Sequence, residues 1–155
     1  MKKLVIGNVQ TKIIKMSIVD VATKEIGYTE GKNNANKYSA ALGRPAESWC
    51  ADFVVWCFHN SGHTGSIINT PSVISMGNWA VKSGLVIDPK DAQAGDIVLF
   101  DFTGKKKAPV HVGIVEKGYD PKKNSLRTIE GNTTNAMRGS QSNGDCVAQK
   151  ERGLS

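Results

Sequence analysis

Cys50 has the clearest chemical potential in the chain, within the segment Ser-Trp-Cys-Ala-Asp. The pattern predicts a helix that begins here, so the thiol would lie beside backbone N–H groups that lack helical partners. These groups and the positive end of the helix dipole favour thiolate over thiol. The position therefore predicts an activated nucleophile. The alternative is that Cys50 is a small buried core residue, the usual environment of cysteine.

A cysteine nucleophile needs a base, and of the three histidines only His111 lies in a predicted strand. Side chains alternate between the two faces of a strand, so His111 and Gly113 should share one face and their valine and isoleucine neighbours the other. We expect a helix laid over the His111 face to bring the Cys50 thiol to the imidazole, which would take the thiol proton and later donate it. The alternative is a structural histidine whose hydrogen bonds are satisfied.

The segment Thr-Ile-Glu-Gly-Asn at 128–132 supplies a third group. A hairpin whose turn is centred within residues 119–123 places either Glu130 or Asn132 opposite His111. Both would lie on the histidine face, so either side chain could orient the imidazole and fix its tautomer. A carboxylate would also stabilise the imidazolium form. The alternative is a solvated glutamate at a strand end, followed by a turn asparagine.

A metal site is a competing hypothesis, because Cys50, Cys57, His59 and His63 place four potential ligands within fourteen residues. The segment lacks the closely spaced cysteine pair that is typical of structural zinc sites, and both cysteines fall along a predicted helix. We therefore expect no metal and no other cofactor, and we expect Cys57 to be a core residue. The chain has three cysteines, an odd number, so at least one thiol must be free; Cys146 receives no role.

The elements that must position these residues follow an α+β pattern, with helical periods in the first half and strand periods in the second. Helices are predicted at 17–26, at 33–42, from Ser48 to about residue 60, and between Ser72 and Gly84, with Ser17, Ser48 and Ser72 as N-caps. Strands are predicted at 96–102, 110–116, 126–132 and 146–150. Their short connections favour antiparallel hairpins.

Length and composition predict a single globular domain: 155 residues, 39% hydrophobic and 22% charged, without an internal repeat or a linker. No apolar run reaches the roughly 18 residues of a membrane span, and the one after Met1 is too short for a signal peptide. The net charge of +6 favours polyanionic partners. Specific nucleic-acid binding is not expected, because no aromatic residues are interleaved with the lysine runs.

Four segments, in this order, resemble the CHAP domain, the cysteine, histidine-dependent amidohydrolase/peptidase of phage endolysins and bacterial peptidoglycan hydrolases. They are Ser-Trp-Cys-Ala-Asp-Phe at 48–53, Ala-Gly-Asp-Ile-Val-Leu-Phe at 94–100, His-Val-Gly-Ile-Val-Glu at 111–116 and Ile-Glu-Gly-Asn-Thr at 129–133. The resemblance covers roughly residues 19–148. It implies a papain-like α+β fold, related to that of the NlpC/P60 group, with N-terminal helices packed on a C-terminal antiparallel sheet. It also implies one catalytic domain over 1–155, with a core at about 17–150 and no separate wall-binding domain.

The resemblance implies cleavage of an amide bond in bacterial peptidoglycan, by an N-acetylmuramoyl-L-alanine amidase or an endopeptidase. Cys50 would be the nucleophile, His111 the general base, Glu130 the residue that orients it and Asn132 a supporting polar residue.

We further expect Trp49 and Asp52, which flank the nucleophile, to contact the substrate. Some phage members carry a calcium loop of alternating acidic residues just before the cysteine. Residues 42–47 contain one carboxylate, so no calcium is expected there.

Two other functions stay open. An NlpC/P60-like cysteine peptidase would usually have Asp-Cys-Ser-Gly around its nucleophile and a histidine as third residue, unlike Trp49–Asp52 and Glu130. A catalytically inactive wall-binding domain would be expected to have lost Cys50 or His111. We expect a monomer made in the host cytoplasm without a signal peptide, which reaches the wall through a holin-type release or from outside. Many relatives continue into a further strand where this chain ends, which would make it a minimal or truncated catalytic domain.

Overall fold

The computed structural model of the protein describes residues 2–7, 12–102, 109–138 and 144–154. Within these ranges, six strands form one antiparallel sheet, and the helices pack against one of its faces. This is the α+β architecture that the change of period predicted, and it is compatible with a papain-like fold. No helix in the described ranges is long and apolar enough to cross a membrane.

The helices of the described residues agree only partly with the predicted bounds; they are α1 Lys12–Lys24, α2 Lys37–Ala41, α3 Cys50–Asn60 and α4 Val73–Lys82. The start of α4 is confirmed, since the Ser72 hydroxyl accepts a hydrogen bond from the backbone N–H of Ser75 at 3.1 Å. The predicted caps at Ser17 and Ser48 are wrong. Ser17 lies inside α1 because residues 12–16 continue its apolar period. Trp49 precedes α3 and makes no side-chain cap.

The helix predicted at 33–42 is divided into a 3-10 turn, Lys32–Asn34, and the short helix α2. Asn33 and Asn34 have left-handed backbones, with φ of 54° and 64°, so a right-handed helix cannot continue through them. The new start is capped by Asn36, whose side-chain oxygen accepts a hydrogen bond from the backbone N–H of Ser39 at 2.8 Å.

The sheet order is β2-β1-β3-β4-β5-β6, with strands β1 Lys2–Ile6, β2 Val86–Ile87, β3 Ile97–Asp101, β4 His111–Asp120, β5 Ser125–Thr133 and β6 Cys146–Gly153. The four strands predicted in the second half and their antiparallel pairing are confirmed, although β4, β5 and β6 extend further than expected. The sequence pattern missed β1 and β2. β1 pairs with β3 from Lys2 opposite Asp101 to Ile6 opposite Ile97, a long-range pairing that no local pattern reveals.

Helix α3 covers the opposite face of β4 from the one predicted. Val112, Ile114 and Ile129 share a buried cluster with α3, whereas Val98 and Phe100, the partners of Gly113 and His111, belong to a second cluster. The reason is hydrophobic burial, because the valine and isoleucine face offers a continuous apolar surface to the apolar side of the helix.

Gly131 on β5 lets α3 approach the sheet closely. A Cβ atom there would lie 2.6 Å from the Cβ of Phe53 and 2.8 Å from the Cζ3 of Trp49, too close for any residue other than glycine. This contact fixes where the first turn of α3 lies relative to the end of β5. The same end of the sheet carries the first residue of β4, His111.

Candidate active site

Cys50 is the first residue of α3 and is 5% exposed. The first helical hydrogen bond runs from the backbone N–H of Phe53 to the carbonyl oxygen of Trp49, at 2.9 Å. The N–H groups of the first turn therefore lack partners within the helix. They surround the cysteine as the sequence predicted, although the residue that caps the helix is different.

Trp49 anchors the start of α3 from inside the protein. Its side chain is fully buried and stacks on Tyr38, with 5.3 Å between ring centroids. The indole N–H donates to Glu30 at 3.0 Å. The predicted contact of Trp49 with substrate has no accessible surface to support it, because the apolar ring packs into the core.

Asp52 also holds the structure around Cys50 together. It is 2% exposed, and its two carboxylate oxygens accept hydrogen bonds from the Ser39 hydroxyl at 2.7 Å and from Nε of Arg44 at 2.6 Å. Arg44 also donates to the Asn69 side chain. The carboxylate that we expected to contact substrate is thus committed to linking α2, the loop before Cys50 and the loop before α4.

The hydrogen bonds of Asp52 are also relevant to whether calcium could bind just before Cys50. The one carboxylate of residues 42–47 is that of Glu47, which is exposed, and the nearby Asp52 is neutralised by an arginine. These residues do not fit the several oxygen ligands that calcium requires.

His111 and Glu130 form a buried pair at the end of the sheet. Nε2 of His111 lies 2.8 Å from Oε1 of Glu130, and the two residues are 1% and 0% exposed. Cys50, the first residue of α3, lies close enough to His111, the first residue of β4, to affect the histidine pKa. The structure thus brings Cys50, His111 and Glu130 together.

The charges of this pair reinforce each other. Burial opposes the charge on His111, but hydrogen bonds to Cys50 and Glu130 outweigh it and raise the histidine pKa to about 9. Burial likewise opposes the carboxylate of Glu130. Hydrogen bonds from Arg152 and His111 outweigh that effect and lower the glutamate pKa to about 2. At neutral pH the pair is therefore imidazolium and carboxylate.

Gly113 provides the space that Glu130 needs to reach His111. A Cβ atom at Gly113 would lie 2.6 Å from Cγ of Glu130. The sequence predicted that this glycine leaves room for an approaching group, and that group is the glutamate side chain.

Asn132 does not contact His111 through a hydrogen bond within the described residues. Continuing the pairing of Ile114 with Ile129 sets Asn132 across from His111, as one of the two predicted registers required. Its backbone is left-handed, with φ of 55°, and its buried Oδ1 accepts no hydrogen bond from a described residue. Glu130 is therefore the partner of the histidine, and a supporting role for Asn132 stays a prediction.

Sequence reasoning missed Arg152 and Thr128, which hold the other side of Glu130. Arg152 donates to both carboxylate oxygens, and the Thr128 hydroxyl donates to Oε2 at 2.5 Å. The predicted last strand ended at residue 150. Its two-residue alternation in fact continues and places Arg152 on the same face as Glu130, a signal that could have found it.

Two cavities lie near this end of the molecule. One, of about 400 Å³, is lined by Arg44, Glu47, Ser48, Asp52 and Ser72, so polar residues on either side of Cys50 in sequence form its wall. The other, of about 190 Å³, lies between α4 and the sheet and is mostly apolar; its lining includes Ile74, Val81, Leu99 and Pro109.

The other two cysteines have structural positions. Cys57 is fully buried in the core, as predicted, and burial raises its pKa well above the ordinary value. The Cys146 thiol donates to the backbone oxygen of Thr133 at 3.1 Å, where the β5–β6 pairing is irregular. Neither forms a disulfide, and the predicted alternative of a metal site is not supported, because no three metal-ligating side chains come together in the described ranges.

The site combines a cysteine at a helix N-terminus with a buried histidine on an antiparallel sheet. Together with the fold, this arrangement indicates a papain-like cysteine hydrolase. The CHAP domain family model matches residues 23–132, well over half of the chain, and the protein belongs to that family. CHAP domains are cysteine- and histidine-dependent amidohydrolases that act on peptidoglycan. No curated protein and no solved structure matches the chain significantly.

Proposed function

We propose that this protein is an endolysin-type peptidoglycan hydrolase that cleaves an amide bond with Cys50 as nucleophile, His111 as general base and acid, and Glu130 as the group that orients His111. The observation that carries the proposal is the buried hydrogen bond between His111 and Glu130, at 2.8 Å, with Cys50 close enough to affect the pKa of the same imidazole. Membership of the CHAP family supports the substrate class.

The first step is attack of the Cys50 sulfur on an amide carbonyl carbon. Because Nε2 of His111 is bound to Glu130, Nδ1 is the nitrogen that faces the thiol. It takes the thiol proton before the attack, which leaves a thiolate beside the imidazolium form of His111. The sulfur then forms the S–C bond as the carbonyl oxygen takes up negative charge. The free N–H groups of the first turn of α3 are suited to stabilise that oxyanion.

Collapse of the tetrahedral intermediate breaks the C–N bond, and the imidazolium of His111 donates its proton to the leaving amine. A thioester between Cys50 and the acyl group results. A water molecule, deprotonated by His111, then attacks the thioester, and the acid product leaves as the thiol is regenerated. Throughout the cycle Glu130 keeps the imidazole oriented and stabilises its charged form.

The polar cavity lined by Ser48 and Asp52, which flank Cys50 in sequence, is suited to hold part of a peptide chain. The net charge of +6 favours attraction of the protein to an anionic cell wall. We propose that the protein acts as a monomer and reaches the wall through a holin-type release or from outside. Both an amidase and an endopeptidase are compatible with this mechanism, since the same acyl transfer cleaves either bond.

The proposal is tested by the loss of turbidity of purified Gram-positive walls. Cys50→Ala and His111→Ala should each abolish lysis while circular dichroism stays native, and His63→Ala serves as a matched control outside the site. Unchanged lysis by either active-site variant would refute the proposal. Wall binding without cleavage by the native protein would instead indicate an inactive binding domain.

Mass spectrometry of the released fragments identifies the bond that is cut. An amidase gives free lactyl groups on muramic acid together with new N-terminal alanine, whereas an endopeptidase gives a new N-terminal residue, such as glycine, and leaves the lactyl groups substituted.

A further inference from the structure

We propose that Arg152 is a positioning residue of this active site, which fixes the Glu130 carboxylate and, through it, the imidazole of His111. The inference rests on the proposed function for its catalytic meaning. Arg152 lies on β6, outside the residues 23–132 that the CHAP family model matches. The family match therefore assigns it no role.

The contact between Arg152 and Glu130 sets the plane of the carboxylate. Nε of the arginine donates to Oε2 at 2.9 Å, and a terminal guanidinium nitrogen donates to Oε1 at 2.5 Å. Two parallel hydrogen bonds of this kind prevent rotation, which a single bond would permit. Oε1 also contacts His111 and Oε2 accepts from Thr128, so each oxygen has one bond to the arginine and one to another group.

Arg152 is itself held in place by packing. It is 4% exposed, and its guanidinium carbon lies 5.2 Å from the ring centroids of both Phe100 and Phe102. The His111 ring lies 6.0 Å from the same two rings. The two phenylalanines thus form a common wall for the arginine and the histidine, and the carboxylate of Glu130 connects them.

The charges around Arg152 indicate how its loss would act. Lys3 on β1 and Lys150 on β6 are buried nearby, and each has its pKa lowered by burial and by repulsion from Arg152, to about 8 for Lys3. On the other side, His111 on β4 contacts the carboxylate of Glu130, and Cys50 on α3 acts on His111. Arg152 alone among these cations donates to both oxygens of the carboxylate. Removing it should raise the pKa of Glu130, so the pair with His111 is lost at a higher pH as the solution is acidified.

The test measures the alkylation of Cys50 by iodoacetamide across pH, read by peptide mass spectrometry, together with wall lysis. In Arg152→Met we expect lysis to fall by about 10- to 100-fold, the range for partners that orient a ligating or catalytic group. We also expect the fall in the rate of Cys50 alkylation at acidic pH to begin about one pH unit higher than in the native protein. At a given acidic pH the alkylation rate would then be about tenfold lower.

Arg138→Met is the matched control, because that exposed arginine pairs with Glu151 close to the same strand end. It should change neither readout. Arg152→Lys keeps the positive charge but loses the two-point contact with Glu130. Compared with Arg152→Met, it should bring the acid limb of the Cys50 alkylation profile closer to that of the native protein than it brings the rate of lysis. If Arg152→Met does not fold, Arg152→Lys and Thr128→Val carry the test, and each should shift both readouts in the same direction by less.

A folded Arg152 variant whose alkylation profile and lysis both stay within twofold of the native protein would overturn the inference. Failure of the proposed function looks different. If the native protein lyses no wall but Arg152→Met still shifts Cys50 alkylation, the positioning role stands and the peptidoglycan function does not.

Discussion

The replacement Gly113→Ala tests whether the close approach of Glu130 to β4 matters for activity. The added Cβ would lie 2.6 Å from Cγ of Glu130, and ordinary contact begins at 3.4 Å, so the glutamate must move by about 0.8 Å. Glu130 cannot move freely, because His111, Thr128 and Arg152 all bind its carboxylate. Gly113 has no positive φ, so the effect comes from the side-chain contact and not from backbone strain.

Two magnitudes follow from this displacement. Misplacing a catalytic group by about 1 Å costs about 100-fold in rate, so we expect lysis by Gly113→Ala to fall by roughly that factor. Crowding a packed site should also lower the free energy of unfolding by about 1–3 kcal/mol. Wall turbidity and urea denaturation measure the two effects separately.

Gly65→Ala is the control, because a Cβ there meets no atom within 4 Å and its φ is not positive. A double-mutant cycle gives the decisive comparison. In the background Glu130→Ala the contact no longer exists, so Gly113→Ala should then cost little additional stability. Native lysis and native stability of Gly113→Ala would refute the reasoning, as would an equal loss of stability in both backgrounds.

Four further results are expected. Iodoacetamide at neutral pH should label Cys50 before Cys57, which is fully buried; the reverse order would identify the wrong thiol as nucleophile. Arg44→Met should lower the free energy of unfolding by about 3 kcal/mol in urea denaturation, because it leaves the Asp52 carboxylate buried without its cation, and a loss below about 0.5 kcal/mol would contradict the linking role. Hydrogen bonds from Arg152 and His111 lower the pKa of Glu130 to about 2, against the effect of burial. The carboxylate should therefore stabilise the folded protein fully above its ordinary pKa near 4.5, and this contribution to the free energy of unfolding should be lost as the pH falls toward 2. In Glu130→Gln the free energy of unfolding should lack this dependence on pH. Chelation by EDTA should leave wall lysis unchanged, and a loss that calcium restores would contradict the prediction of a metal-free site.

Local signals in the sequence were sufficient to predict the elements that carry Cys50, His111 and Glu130. The two-residue alternation around His111 predicted β4, and the turn before Glu130 predicted the hairpin with β5. The apolar period of α4 and its N-cap at Ser72 can also be predicted from residues a few positions apart in the sequence. The position of Cys50 at a helix start was predicted correctly, even though Trp49 and not Ser48 precedes the helix.

The face of the sheet that α3 covers could not be predicted from alternation, which defines two faces but not the one that the helix buries. That choice depended on the total apolar area and on the space above Gly131. For the same reason, nothing in the sequence indicated that the Trp49 side chain would be fully buried in the core.

The sequence by itself determined the residue types of the candidate site and their order, because helix starts and strand faces depend on neighbours only a few positions away. Tertiary structure alone decided that Glu130, and not Asn132, binds His111, and that Arg152 holds Glu130 from a strand 22 residues further along the chain. Such contacts depend on the register of several strands and on the burial of charge, which are properties of the assembled sheet.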